Sequence, residues 1–132
     1  MITNPNANSL YLVPTSSDEV LQIINSLKSI GHDGISTRLL KQIQFAISTP
    51  LTVILNKSLE NVEVPTPLKL AKVVPIYKAK ENYIFNNYRP ISLLPCISKV
   101  LEKLIHKRLY NFLIKYNILC KSQYGFRPNT AQ

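Results

Sequence analysis

The sequence is poor in the residues on which several common functions depend. It has three glycines in 132 residues and no G-x-G or G-K-[ST] string. A Rossmann-type turn or a P-loop needs backbone that approaches phosphate with no Cβ in the way, so both are excluded. Two cysteines, Cys96 and Cys120, exclude a disulfide-dense scaffold. Together with His32 and His106 they show no zinc-ligand spacing. Acidic residues number seven against sixteen Lys and Arg. No two aspartates are adjacent, and Glu60, Glu63, Glu81 and Glu102 form no pair at a spacing that would hold Mg²⁺. The order of Ser, His and Asp suggests no catalytic triad. The uncharged stretch Gln42–Asn56 is interrupted by Ser48, Thr49 and Pro50 and is too short to span a bilayer. No Lys or Arg precedes the short apolar run Leu10–Val13, so a secretory signal is not expected. The expectation is an intracellular protein of cytoplasm or nucleus, with reduced thiols.

Apolar residues and positive charge are plentiful. Hydrophobic residues make up 45% of the chain, enough for a packed core. The net charge is +9, and it is unevenly spread. Residues 1–66 hold four basic and five acidic side chains, net −1, whereas residues 67–132 hold twelve basic and two acidic ones, net +10. A solubilising surface usually interleaves both signs. This asymmetry instead points to a phosphate-bearing partner for the second half.

Residues 1–15 read as an extended, partly loose lead-in. Ser16 with Glu19 three positions on has the form of a capping box. Val20, Ile23, Ile24 and Leu27 follow at helical spacing, and Gly31 can end that helix with a positive φ. His32-Asp33-Gly34 is turn chemistry. Ser36 caps a second helix with Leu39, Leu40, Ile43 and Ile47 on one face. Thr49-Pro50 restarts the helix, with Leu51, Ile54, Leu55 and Leu59 as its stripe. Pro65-Thr66-Pro67 closes this helical half. Val73, Val74 and Ile76 then predict a short strand, kept to an edge by Pro75. Tyr88–Leu94 returns as its partner in a β-hairpin across residues 72–94. Pro95 opens a long helix over about 97–116. Ile97, Leu101, Leu104, Leu109, Phe112, Leu113 and Tyr116 line one side of it, and Lys99, Lys103, His106 and Lys107 the other. The resulting fold class is α+β, mostly helical, with one short β-hairpin.

Two arginines stand out as binding candidates. Arg89 precedes Pro90 and Arg127 precedes Pro128, and a residue before proline is driven to extended backbone angles. Each guanidinium is therefore launched in a set direction, which suits bidentate contact with phosphate oxygens. Lys78 and Lys80 lie across the hairpin from Arg89, and the three together suit a triphosphate. Gly125 permits close backbone approach. Tyr124 and Phe126 offer stacking surfaces or core anchors.

The strings AKVVPIYK, NNYRPISLLPCISKVLEKLIHKRLYNFL and SQYGFRPNT, in this order and spacing, resemble the opening of the reverse transcriptase domain of jockey-like non-LTR retrotransposons. GHDGIS and PLTVILNKSLENVEVPTPLK resemble the stretch before it, so the likeness covers residues 9–132. The resemblance implies the fingers part of a right-hand polymerase over residues 67–132. A helical extension at 16–66 and the lead-in at 1–15 precede it. It also implies triphosphate contacts by Lys78, Lys80 and Arg89, with Ala79 where the family often has a second lysine. Template contacts fall on Gln123, Gly125, Phe126 and Arg127. The implied partners are RNA, RNA/DNA hybrid and deoxynucleotide triphosphates. In the family the catalytic carboxylates follow QYGFRP, and no counterpart occurs here. The chain is thus expected to hold no metal itself, to lack a palm and to be inactive alone, Mg²⁺ serving the complete domain. Two other readings remain open at this point: a non-enzymatic basic RNA-binding module, and a helical interaction domain. In a chain lacking a palm, part of the apolar side of the long helix is expected to be exposed.

Overall fold

In a computed structural model, which describes residues 9–28, 31, 33–78, 81 and 83–120, the first helix begins where the Ser16–Glu19 spacing predicts. The Ser16 hydroxyl accepts from the Glu19 N–H at 3.2 Å and caps α1 (Ser17–Ser26). The helix ends earlier than Gly31: Leu27 turns to extended angles, φ −69° and ψ 131°. Gly31 does not have a positive φ; among the described glycines that belongs to Gly34, at 75°. Close approach is what demands a glycine at 31. A Cβ there would stand 2.7 Å from the Cys96 nitrogen and 3.1 Å from the Leu94 carbonyl oxygen.

Ser36 caps α2 (Thr37–Gln42) through the Leu39 N–H, as expected. The chain then breaks at Ile43, not at Thr49-Pro50, and α3 (Gln44–Glu60) runs straight through Pro50. Burial explains why a proline inside a helix is tolerated. Ser48, Leu51, Thr52, Leu55 and Leu59 are all buried on one side of α3, and that packing outweighs the one helical hydrogen bond a proline removes. Val62 ends α3 in a left-handed conformation, φ 54°, with the Glu63 N–H reaching back to the Ser58 carbonyl. A single turn, α4 (Thr66–Lys69), leads into the strands β1 (Lys72–Tyr77) and β2 (Tyr88–Leu93). The long helix α5 (Cys96–Lys115) follows. It closes in the same way as α3: Asn117 has φ 51°, and the Ile118 N–H bonds the Leu113 carbonyl.

Among the described residues the buried core comes from the helical segments. Val20, Ile23, Ile24 and Leu27 of the α1 segment meet Leu40 of α2, Leu51, Leu55 and Leu59 of α3, and Cys96, Val100, Leu101 and Leu104 of α5. On α5 the buried stripe stops at Leu104, and Leu109 and Ile114 are exposed. The helix thus projects past the core it helps to build, and part of its apolar side is open, as expected.

The lead-in is more firmly held than its composition suggests. From residue 9 on it is described, and its last residues are clamped. The Asn56 side-chain amide donates to the Thr15 carbonyl at 3.0 Å and accepts from the Thr15 N–H at 2.7 Å. The Arg108 guanidinium donates to the carbonyls of Val13 and Pro14. The architecture is α+β and mostly helical, with one two-stranded antiparallel hairpin. Among the described residues no helix is long and apolar enough to cross a membrane.

Candidate nucleotide and nucleic-acid interface

The hairpin is set in register by its prolines. Pairing runs from Lys72 opposite Leu93 to Tyr77 opposite Tyr88, with Pro75 facing Pro90. The Lys78 N–H bonds the Asn87 carbonyl at 2.8 Å, which fixes the phase of the ladder. Residues 78, 76, 74 and 72 therefore sit in hydrogen-bonded pairs, and Pro75 and Pro90 meet in a non-bonded one. There neither ring removes a ladder bond, and both block the outer edges against a further strand. Tyr77 and Tyr88, also a non-bonded pair, bring their ring centroids to 5.7 Å.

The same phase decides where the predicted cations go. Arg89 lies directly opposite Ile76, and Lys78 is two residues beyond Ile76 on the same strand path. Side chains alternate along a strand, so Arg89 and Lys78 share one face as diagonal neighbours, about 7 Å apart at the backbone. Both are exposed. Arg89 also has the extended backbone expected before a proline, since it lies within β2. Among the described residues neither takes part in an ion pair. Lys80, Gln123, Gly125, Phe126 and Arg127 lie outside the described residues.

The basic side of α5 is less open than its sequence suggests. Lys103 turns back to α1, where its ammonium donates to the Ser26 carbonyl at 3.2 Å and to the Ser26 hydroxyl at 2.8 Å. It supplies the cation that the last turn of α1 lacks. Lys107 pairs with one Glu19 oxygen at 3.0 Å, and Arg108 pairs with the other at 3.0 Å. Burial pushes the Glu19 carboxyl up. Hydrogen bonds from Thr15, Arg108 and Lys107, and the charge of Arg108, outweigh that and hold it at about 2, below its ordinary 4.5. Glu19 is therefore an anchor for α5 and not merely a first-turn acid. The partners are 88 and 89 residues away in sequence, and no local pattern points to them.

Asp33 is a second acid with a structural task. One of its oxygens accepts from the Ile35 N–H at 3.3 Å, and the other accepts from the Cys96 N–H at 3.1 Å. It thus caps the N-terminus of α5, where Pro95 provides no side-chain cap. The buried Cys96 thiol donates to the Ile35 carbonyl. Phosphoryl transfer by divalent ions needs carboxylates gathered at one point. Among the described residues no group of three or more His, Cys, Asp or Glu could hold a metal, and Glu19 and Asp33 are already engaged. These residues do not fit a metal centre, and no step through one is assigned to them.

Comparison with known proteins bears on the same region. The family model for reverse transcriptase (RNA-dependent DNA polymerase) matches residues 76–132, which includes most of the hairpin and all of α5. The chain is 34% identical over 130 residues to the probable RNA-directed DNA polymerase from transposon BS of Drosophila melanogaster, covering 96% of this chain and 14% of that protein. It is 33% identical over 120 residues to the probable polymerase from transposon X-element of the same species, covering 88% and 13%. It is 31% identical over 130 residues to the RNA-directed DNA polymerase from mobile element jockey, again covering 96% and 14%. The chain spans about one seventh of the length of these curated relatives.

Proposed function

Given that this chain belongs to the reverse transcriptases of jockey-like non-LTR retrotransposons, we propose that it forms the fingers side of such a polymerase and grips the incoming nucleotide through its hairpin. Arg89 offers a planar fork to two phosphate oxygens, and Lys78 adds a point charge beside it. Gln123, Gly125, Phe126 and Arg127 extend the contact along the RNA template. The carboxylates and divalent ions for bond-making belong to other parts of the polymerase, so the isolated chain binds without catalysing. One observation carries this reading: Lys78, just past the end of β1, and Arg89, eleven residues on across a loop, are both exposed, and the phase of the ladder puts them on one face of the hairpin.

The test is direct binding of a fluorescent deoxynucleotide triphosphate to the 132-residue chain. Lys78→Ala combined with Arg89→Ala should weaken binding about tenfold or more, because each charge-assisted bond to phosphate contributes roughly 1.5–3 kcal/mol. The matching nucleoside, which lacks phosphates, should not compete. Equal affinity of wild type and double variant would refute the nucleotide role of the hairpin.

A further inference from the structure

The string GHDGIS takes no part in the grip proposed above, and the fold puts its residues to another use. Gly31 is buried against the junction where β2 hands over to α5. A Cβ there would stand 2.5 Å from the Asp33 Oδ1, 2.7 Å from the Cys96 nitrogen and 3.1 Å from the Leu94 carbonyl oxygen. The missing side chain therefore lets the Asp33 carboxylate reach the junction. One of its oxygens accepts from the Ile35 N–H and the other from the Cys96 N–H, while the Cys96 thiol donates back to the Ile35 carbonyl at 3.1 Å. A helix start needs acceptors for its orphan N–H groups. Here the acceptor comes from 63 residues away, so capping α5 also tethers the α1–α2 connection to the exit of the hairpin.

The entry of the hairpin is tied to the same turn of α5. The buried Ser98 hydroxyl donates to the Leu68 carbonyl of α4 at 2.8 Å. Leu70 and Ala71 alone separate α4 from β1, and Leu94 and Pro95 alone separate β2 from α5. Pro95 is buried with φ at −54°, and it keeps Leu94 extended, so the exit leg is stiff. Among the described residues no side chain of the hairpin belongs to the helical core, so its direction depends on these two roots. The strands then act as a lever. Lys78 lies six residues beyond Lys72, roughly 20 Å at the rise of a strand. A tilt of about 10° at the root would carry it about 3 Å, more than a hydrogen bond to phosphate tolerates.

We propose that Gly31, Asp33 and Ser98 are positioning residues: they form a socket that seats the hairpin on the first turn of α5 and so aims Lys78 and Arg89 at a triphosphate. Asp33 and Ser98 act on backbone groups of opposite legs, Gly31 acts by leaving room, and none of the three touches the ligand. The ligand rests on the nucleotide reading given above. The direction of the hairpin can be measured with no ligand present, so the two can fail separately.

Distances between two nitroxide labels on the 132-residue chain, read by double electron–electron resonance, test this. One label sits at Phe85→Cys in the hairpin loop and the other at Phe45→Cys on α3, both exposed positions. Cys120→Ser removes the exposed thiol, and the buried Cys96 stays unlabelled. Asp33→Ala with Ser98→Ala should at least double the width of the distance distribution. Gly31→Ala, which pushes on the junction instead of releasing it, should shift the mean by about 3 Å. Leu55→Ala weakens the base without touching either root and should leave the width unchanged, as should Ser98→Thr, which keeps the hydroxyl. In the unlabelled chain, Asp33→Ala with Ser98→Ala should weaken binding of the fluorescent deoxynucleotide triphosphate about fivefold. It should add nothing once Lys78→Ala and Arg89→Ala are present, because both pairs of changes remove one contact. A wild-type width in the Asp33, Ser98 variant overturns the socket. So does a broadened hairpin with wild-type affinity, in a chain whose binding Lys78→Ala with Arg89→Ala does weaken. If that cation pair has no effect on binding, the nucleotide reading falls, and a broadened distribution still upholds the socket as what aims the hairpin. Should the double variant lose its far-ultraviolet circular dichroism, Asp33→Asn carries the test. Its one acceptor oxygen cannot serve the Ile35 and Cys96 N–H groups as two carboxylate oxygens do, and an unchanged width there overturns the socket.

Discussion

The helical base and the hairpin obey different physics. In the base, four helix segments bury twelve of the described hydrophobic side chains against one another, and several of its polar contacts are long-range. Glu19 reaches Arg108, Asn56 reaches Thr15, and Asp33 reaches Cys96. Among the described residues none of the hairpin belongs to that core. Its strands pack on each other, Val74 and Leu93 are half-buried, and Val73, Ile76, Tyr77 and Ile91 are exposed. A lone two-stranded ribbon is marginal in water. This one is held by its register, its opposed prolines and the Tyr77–Tyr88 ring contact. The difference teaches that fold stability and the proposed chemistry occupy separate places. The base holds its shape through burial, while the hairpin keeps its polar and charged side chains in reach of a ligand.

The sharpest way to break that contrast is a cavity in the base. Leu55 is fully buried, and Leu55→Ala should cost about 3 kcal/mol through lost transfer energy and the cavity left behind. Urea unfolding reads this as a lower midpoint with an unchanged slope. A loss below 1 kcal/mol would mean that the base is not the cooperative unit.

Removing the Glu19 anchor should have a smaller effect that depends on pH. The folded carboxyl sits at about 2 against an ordinary 4.5. Its contribution is therefore complete above about pH 5 and is lost as pH falls towards 2. Glu19→Gln should cost on the order of 1–2 kcal/mol at pH 7, allowing for solvent screening of a partly exposed pair, and less at pH 3. Urea midpoints of wild type and variant should converge as the solution is acidified. Parallel curves from pH 7 to pH 3 would show that the carboxylate is not a stabilising anchor.

The smallest effect belongs to the hairpin. Val73 is 60% exposed, and Val73→Ala should change stability by no more than about 0.5 kcal/mol. A loss of 2 kcal/mol or more in the same urea measurement would place that face in the core and erase the contrast.

Much of the local structure was legible in the chain. Ser16 and Ser36 announced two helix starts because a hydroxyl that satisfies orphan N–H groups works within four residues. The β-branched run Val73, Val74 and Ile76 and the returning segment from Tyr88 announced the hairpin, and Pro75 marked it as an edge, since proline is tolerated only where no ladder bond is needed. The break at Ile43 in place of Pro50 was not legible, because burial on the far side of α3 overrode local propensity. The role of Gly31 was hidden as well: close approach to Cys96 leaves no trace in the neighbouring residues. The candidate site was half legible. Motif order pointed to Lys78 and Arg89, but their common face depended on the phase of the ladder. Arg108 lay within a family string but with no sign of its partner, and Lys28, Arg38 and Lys41 belonged to no motif.

By itself the sequence determined which segments are helix or strand, where the net positive charge lies, and which family the chain resembles. These follow from short-range rules of capping, periodicity and composition. Only the tertiary structure decided which charges are paired with distant parts of the chain. Lys107 and Arg108 are drawn to Glu19 and Lys103 to Ser26, while Lys28, Arg38 and Lys41 from the nearly neutral half gather between the end of α1 and α2. Electrostatic partners are set by distance in space, and a chain of side chains ordered only by covalent bonds does not record that distance.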